Sequence, residues 1–404
     1  MKVTFLVSHF PELSEQFIIN QIVGLIDQGI DISIVSLHKG KDKVNNNDLY
    51  EYDLIKKTIY VSIPENALFR LIFGLLLIIK LSIISPRKLL KTLNINKYKR
   101  AARSFKLLYV YNFLRCNRIR VLHCHFGPNG NIGAFLKEIG IVENLITTFH
   151  GSDINTYPLK HGENIYNELF SLVDKITVNT SFTAKKVCSY GANKEKIKIV
   201  PVGLKVRDYP FLKENYDFTN NPVILTVARL AEKKGHRYAI EAIAKLKKKI
   251  PNILYNVIGS GPMESDLKKL VEELRIDDSV IFHGSCNRVE IFEFYKKTSI
   301  FILPSVIASD GDMEGQGLVL QEAQAVGLPV ISTFHNGIPD GVVNGKTGLL
   351  VPERDSNVLA EKIEYLLENP KTCNKMGKNG RDFVTMNYDI EKLSLNIIDV
   401  YKSV

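Results

Sequence analysis

Residues 304–323 read Pro-Ser-Val-Ile-Ala-Ser-Asp-Gly-Asp-Met-Glu-Gly-Gln-Gly-Leu-Val-Leu-Gln-Glu-Ala, which places Glu314 and Glu322 with seven residues between them. Gly315 and Gly317 let the backbone approach a ligand closely, and a helix starting near Leu318 would offer its free N–H groups to an anion. On a rise of about 1.5 Å per residue, Glu322 is expected about two turns from Glu314, so the pair would touch separate parts of one extended ligand. The bland reading is a glycine-rich loop carrying two solvated acids, and the spacing alone does not exclude it.

The neighbouring motifs narrow the chemistry. Thr226-Val227-Ala228-Arg229-Leu230-Ala231-Glu232-Lys233-Lys234-Gly235 puts an arginine at the end of an apolar run and a lysine before a glycine. A forked guanidinium and a mobile ammonium together suit a diphosphate, although a basic surface turn would look the same. Ile258-Gly259-Ser260-Gly261-Pro262 is a second glycine turn; it lacks the third glycine of a dinucleotide fingerprint and does not indicate NAD. In the first half, His123-Cys124-His125 resembles a metal cluster on paper. Adjacent strand positions point to opposite faces, and no third soft ligand is close, so no metal site is expected.

The elements that must position these residues are short Val- and Ile-rich runs alternating with helical patterns, the rhythm of a doubly wound parallel sheet. Strands are expected near 2–8, 31–37, 120–125, 145–149, 174–179 and 197–201. A second set falls near 222–228, 253–258, 279–283, 299–303, 329–332 and 348–351, with helices such as 238–249 and 263–274 between. The chain of 404 residues, 45% hydrophobic and 24% charged, is long enough for two such α/β domains. The break is expected in the polar stretch 203–222. Ligands of open parallel sheets bind beyond the carboxyl ends of the strands, where all these motifs fall.

In this order and at these intervals, Arg-x4-Lys-Gly, Gly-x-Gly-Pro and Glu-x7-Glu resemble the nucleotide-sugar-dependent retaining glycosyltransferases of family 4. The likeness covers most of the chain and is strongest over 223–352. Phe10-Pro11-Glu12-Leu13-Ser14-Glu15-Gln16-Phe17-Ile18 and the wording around Asp310 are most similar to the bacterial exopolysaccharide, colanic-acid-type branch. The resemblance implies a GT-B fold of two facing Rossmann-like domains with a cleft between them. The acceptor-binding domain would be 1–205, the nucleotide-sugar-binding domain 206–375, and 376–404 would pack back toward the first. It implies that Arg229 and Lys234 hold the donor diphosphate, and that Glu314 lies against the transferred sugar. Glu322 would accept from the ribose hydroxyls, with Gly259, Gly261, Gly317 and Leu318 lining the nucleotide sugar. Thr148-Phe149-His150-Gly151-Ser152-Asp153 matches the family's strand-end histidine, which makes His150 a second catalytic candidate. Many relatives carry a glycine pair after the first strand where this chain has Ser8-His9-Phe10-Pro11. His9, Ser14 and Glu15 are therefore acceptor-side candidates, with helix capping the alternative for Glu12 and Glu15; His125 of the other strand-end cluster and Asp153 of the His150 motif are further acceptor-side candidates.

Charge is distributed unevenly. Residues 66–137 contain 14 Lys and Arg and no acid, so this segment carries +14 while the whole chain carries only +10. Its apolar run 71–79 is too short to span a bilayer. Interleaved with Lys80, Arg87, Lys88, Lys91, Lys97, Lys99, Arg100 and Arg103, it suits helices lying on an anionic leaflet, or equally a core helix with a solvated basic face. No nucleic-acid motif accompanies the charge. Five unpaired-looking cysteines and an N-terminus that reads as a buried strand rather than a secretory leader point to a cytoplasmic protein at the inner face of the membrane. The family resemblance implies metal-free, retaining hexosyl transfer from a UDP- or GDP-sugar to a glycan, lipid-linked by preference, without a further cofactor. Synthesis of a soluble glycoside and a non-catalytic scaffold of a polysaccharide assembly complex are the alternatives.

Overall fold

The computed structural model describes residues 1–12, 15–40, 46–212 and 221–404. They form two compact units, Met1–Pro201 with Leu393–Val404, and Val202–Lys392. The first unit is built on a parallel sheet of β1 (Lys2–Phe10), β2 (Asp31–Lys39), β3 (Thr58–Tyr60), β4 (Ile119–His125), β5 (Val142–Phe149), β6 (Lys175–Val178) and β7 (Ile197–Ile199). Their order is β3-β2-β1-β4-β5-β6-β7. Residues Val3 to Val7 are all buried, Thr4 included, so the middle of β1 has no solvent-exposed face. This is the pattern of a strand covered on both sides by crossover helices.

The second unit repeats the plan with β8 (Val223–Val227), β9 (Leu254–Ile258), β10 (Val280–Gly284), β11 (Ile300–Leu303), β12 (Val330–Thr333) and β13 (Gly348–Val351). Here the order is β10-β9-β8-β11-β12-β13. Each sheet therefore reverses its winding once, between β1 and β4 in the first unit and between β8 and β11 in the second. The strand beyond sequence reading is β3: Thr58-Ile59-Tyr60 is a three-residue edge strand, too short to display a period.

The division between units falls at Pro201, just ahead of the stretch in which the sequence places it. Val202 already belongs to the second unit, because its N–H donates to Gln316 Oε1 at 2.8 Å and its carbonyl accepts from Gln316 Nε2 at 2.9 Å. The returning segment is also shorter than 376–404. Met376, Val384 and Tyr388 stay in the core of the second unit. Only beyond Leu393 do Ile397, Ile398, Val400 and Tyr401 join Phe5 and Ile22 in the first.

The apolar run 71–79 is the middle of an 18-residue helix, Ala67–Ile84, of mean hydropathy 2.4. By length and composition it could cross a membrane, which corrects the nine-residue reading. One stripe is committed to the first unit: Leu81 is buried, Leu77 and Ile78 pack on the core, and a side-chain carbon at Gly74 would meet the Phe105 ring at 2.9 Å. The rest of the helix is exposed, with Leu76, Ile79 and Ile83 at 57%, 63% and 82%.

Candidate functional site

The switch point between β8 and β11 organises the second unit's site. The turn after β8 and the loop after β11 are joined rung by rung. Lys233 carbonyl accepts from Val306 N–H at 2.9 Å. Ser309 donates through N–H and Oγ to Glu232 at 3.0 and 2.7 Å, and Lys233 Nζ pairs with Asp312 at 3.0 Å. The last rung is Lys234 Nζ on the Glu314 carboxylate, with both side chains largely buried. Gly235 makes this approach possible: at φ +69° it lies so close to Pro304 that a side-chain carbon would stand 1.8 Å from the Pro304 carbonyl oxygen.

Burial alone would raise the Glu314 pKa, but the Lys234 and Lys233 charges and the Lys234 hydrogen bond bring it below its ordinary value. Glu314 is thus a desolvated anion at neutral pH. Its backbone N–H donates to His335 Nε2 at 3.1 Å, and His335 Nδ1 donates to Glu353 at 2.6 Å. Because Nε2 accepts, the proton must sit on Nδ1. His335 is fully buried, and sequence reading missed it, although its place at the end of β12 is the place where such residues are sought.

Glu314 precedes the Leu318–Ala325 helix, which begins at its cap Gly317 (φ +75°). The two glutamates are therefore not two turns apart on one helix. Glu322 occupies a separate cluster, where Tyr295 OH donates to it at 3.3 Å and Tyr209 also donates a hydrogen bond. The Arg288 guanidinium lies 4.8 Å from the Tyr209 ring. Burial raises the Glu322 pKa against these favourable contacts. Tyr209 lies far in sequence from Arg288 and Tyr295, which share the helix Arg288–Lys297, and none of the three belongs to a motif. Arg229 stands exposed at the end of β8; the structure brings it beside the other loops but not into contact with either glutamate.

Gly259 and Gly261 have a reason that needs no ligand. Side-chain carbons there would come within 2.0 Å of the Ala228 oxygen and 2.4 Å of the Leu230 oxygen. They allow the loop after β9 to lie on the loop that carries Arg229. Leu318, half-buried, is the first helical residue after Gly317.

In the first unit, His123, His125 and His150 form a column. The rings of His123 and His125 stack at 4.7 Å and those of His125 and His150 at 5.2 Å. His125 Nδ1 and His150 Nε2 are 3.0 Å apart. Burial drives the His150 pKa down to about 3, so the ring is neutral at pH 7, and its Nδ1 finds no partner among the described residues. Two acceptor-side candidates turn inward. His125 is fully buried beneath His150, and Asp153 accepts from Gly127, His150 and Gly151 N–H at 2.9, 3.0 and 2.9 Å. They position the His150 loop rather than face a ligand. His123 is held by Tyr401 OH at 2.7 Å and Thr148 Oγ1 at 2.6 Å. Cys124 packs on the opposite face near Gly133, as strand alternation requires.

His9 stacks on His38 at 5.1 Å. Ser14 lies outside the described residues. Glu15 sits at the N-cap of the Gln16–Asp27 helix but makes no side-chain capping bond. Burial, reinforced by the charge of Glu12, lifts its pKa from 4.5 to about 7. Between those values the folded chain binds more protons than the unfolded one, so stability should fall as pH rises from about 4.5 to 7. The fall is at most about 3 kcal/mol. Urea denaturation at pH 5 and pH 8 should show this loss in the wild type and a flatter profile in Glu15→Gln. Identical profiles would contradict the assignment.

The model described as "Glycosyl transferases group 1" matches residues 209–383, and that described as "Glycosyltransferase Family 4" matches residues 14–207. The protein named "Putative colanic acid biosynthesis glycosyltransferase WcaL" from Salmonella typhimurium is 32% identical, with all of both chains aligned. The amylovoran biosynthesis glycosyltransferase AmsK of Erwinia amylovora is 34% identical over 89% of each chain. Among solved structures, Anabaena HepE in complex with UDP and glucose superposes with a TM-score of 0.70 at 16% identity over all of both chains. The lipopolysaccharide outer core galactosyltransferase WaaB superposes at 0.72 and 17%, over 100% of this chain and 99% of that one. The two doubly wound units are those of the GT-B fold.

Proposed function

The chain belongs to the group 1, family 4 glycosyltransferases, and from that premise we propose that it transfers a hexose with retention of configuration. The donor is a UDP- or GDP-sugar and the acceptor a lipid-linked glycan of a cell-surface polysaccharide. The relatives' roles in colanic acid and amylovoran synthesis support the pathway. The observation that carries the reaction is the buried Lys234–Glu314 pair at the β8/β11 switch point.

In this reading the donor diphosphate takes over Lys234 as a partner and meets Arg229 and the N–H groups following Gly317. These preorganised positive groups stabilise the charge that develops on the leaving phosphate. No metal is required, because the two side-chain cations and the helix end supply that charge. Freed from Lys234, the Glu314 carboxylate accepts from sugar hydroxyls and favours the positive charge growing at the anomeric carbon. The acceptor hydroxyl attacks from the face that the phosphate leaves, and its proton passes to a leaving-phosphate oxygen. The configuration is kept without a protein nucleophile. Glu322, held by two tyrosines, binds the ribose hydroxyls.

The work takes place at the inner face of the cell membrane, on which the exposed surface of the Ala67–Ile84 helix rests. The test is a panel of nucleotide sugars in EDTA with a glycan acceptor, following nucleoside diphosphate release and the anomeric proton of the product. Release of UDP or GDP with an α-linked product from an α-donor is expected. An inverted product, or turnover only after a divalent metal is restored, would overturn the mechanism.

A further inference from the structure

The loop after β11 carries Glu314, and it is held from two flanks because β11 lies between β8 and β12 in the sheet. The rungs to the turn after β8 secure one edge. The other edge is secured by residues that follow β12 and β13, and these converge on one carboxylate, Glu353.

Glu353 divides its two oxygens between the two ends of the loop. Oε2 accepts from the Ile307 N–H at 3.0 Å, while Oε1 accepts from His335 Nδ1 at 2.6 Å. His335 carries the restraint onward, since its Nε2 accepts from the Glu314 N–H at 3.1 Å. Arg354 closes the first end by donating to the Ile307 carbonyl. Asn336, at φ +46°, turns its side-chain amide back onto the second: Nδ2 donates to His335 Nε2 at 2.8 Å and reaches the Glu314 carbonyl at 3.4 Å. One acid thus fixes residues 307 and 314 relative to each other and to the sheet.

The chemistry of the ring matters here as well as its volume. A backbone N–H can only donate, so the Glu314 bond requires a lone pair on Nε2 and leaves the proton on Nδ1, where Glu353 receives it. Both nitrogens of this fully buried ring are therefore used. By contrast, His125 Nε2, His150 Nδ1 and His236 Nδ1 are buried without a partner among the described residues. A phenylalanine at 335 would fill similar space but leave the Glu314 N–H and one Glu353 oxygen unpaired. Because the bond is to the backbone of residue 314, the carboxylate remains with Lys234.

We propose that Glu353 and His335 are positioning residues, a carboxylate–imidazole relay that sets where the Glu314 carboxylate stands against the transferred sugar. The assignment rests on the glycosyltransferase reading of Glu314 and adds two residues that act through the backbone of 314 rather than on the donor.

Histidine ¹⁵N NMR and steady-state kinetics of the full chain test the relay. The His335 resonances, identified by their loss in His335→Gln, should show a protonated Nδ1 and a bare Nε2; a protonated Nε2 would exclude it. His335→Phe and Glu353→Ala should each lower kcat by about 10–100-fold with donor KM within a few-fold, the scale of a misplaced reacting group. His335→Gln, whose amide oxygen can replace Nε2 as acceptor, should recover most of that loss. In a Glu314→Gln background either substitution should cost no more than about twofold, because the charge that the relay positions is already gone. Glu353 is partly exposed, so Glu353→Ala remains informative even if His335→Phe folds poorly. Losses that add in full to that of Glu314→Gln, or that fall on KM and are not recovered by glutamine, are those of a merely structural role and would overturn the proposal. Wild-type turnover that the substitutions leave unchanged removes the relay alone, whereas no nucleotide-sugar turnover by the wild type removes the glycosyltransferase reading and this role with it.

Discussion

Glu314→Gln is expected to lower kcat by roughly 10²–10³-fold while the protein still folds cooperatively. The amide keeps an acceptor oxygen for Lys234, and the backbone bond from residue 314 to His335 Nε2 does not depend on the side chain. What disappears is the negative charge. In the wild type that charge is maintained inside the protein by Lys234 and Lys233 against the effect of burial, and in the proposed mechanism it faces the transferred sugar as that becomes cationic. A group that acts chiefly in the transition state lowers kcat and kcat/KM together. Steady-state kinetics should therefore show donor KM within a few-fold of the wild type. Near-normal kcat would remove Glu314 from the chemistry and return it to the bland reading of a loop acid.

Lys234→Ala is expected to have a different and broader effect, on stability as well as on turnover. Removing the ammonium leaves the Glu314 carboxylate desolvated with the weaker influences of Lys233 and His335 to offset it. Breaking a buried pair from one side typically destabilises by about 3–5 kcal/mol. The pH dependence distinguishes this from a simple packing loss. With Lys234 present, the folded Glu314 pKa lies below 4.5, so the pair contributes stability above that pH and loses it in acid. Without Lys234, burial dominates and the folded pKa moves above the unfolded value. The variant should then be relatively more stable at pH 5 than at pH 8. The double substitution Lys234→Ala with Glu314→Ala should be less destabilised than the sum of the two, because no stranded charge remains. Urea unfolding of the four proteins at both pH values measures the coupling. Additive losses with no pH dependence would show that the ion pair is incidental.

Much of this site could be read before the structure because its parts sit where a parallel sheet puts them. Arg229, Lys234 and Glu314 all follow strands, and strands buried on both faces announce themselves as unbroken apolar runs; in the other unit His150 also follows a strand, but only the family resemblance singled it out. The residues that escaped notice are those whose role depends on tertiary contact. Tyr209 precedes β8 whereas Arg288 and Tyr295 share the helix Arg288–Lys297, and they meet at Glu322, an encounter between separate segments that local spacing does not encode. His125 and Asp153 were legible as strand-end polar residues, but only burial shows that they turn inward. The two glycines at 259 and 261 illustrate the same limit. A glycine turn after a strand reads as a ligand loop, yet here the close approach is to the backbone at Ala228 and Leu230.

The Ala67–Ile84 helix looks shorter in sequence than it is, for a simple physical reason. Arg70 and Lys80 interrupt the apolar string, so counting uninterrupted residues returned a short run, whereas a helix ignores single interruptions and is judged by its whole surface. The basic segment likewise looked uniform in sequence but is divided in the fold. Lys91, Lys97 and Lys137 pair with acids outside the segment, while Arg70, Arg100 and Lys106 are gathered in a cavity. Net charge alone could not separate cations paired within the fold from those that line a cavity.

The central claim is that the second unit holds an activated sugar by its diphosphate through Lys234. The most direct measurement is calorimetric titration of the wild type and Lys234→Ala with UDP- and GDP-sugars at a pH and temperature where both are folded. One nucleotide sugar should bind the wild type and lose at least about tenfold in affinity when the ammonium is removed, the scale of one charge-assisted contact. Equal binding by the two proteins would contradict the account.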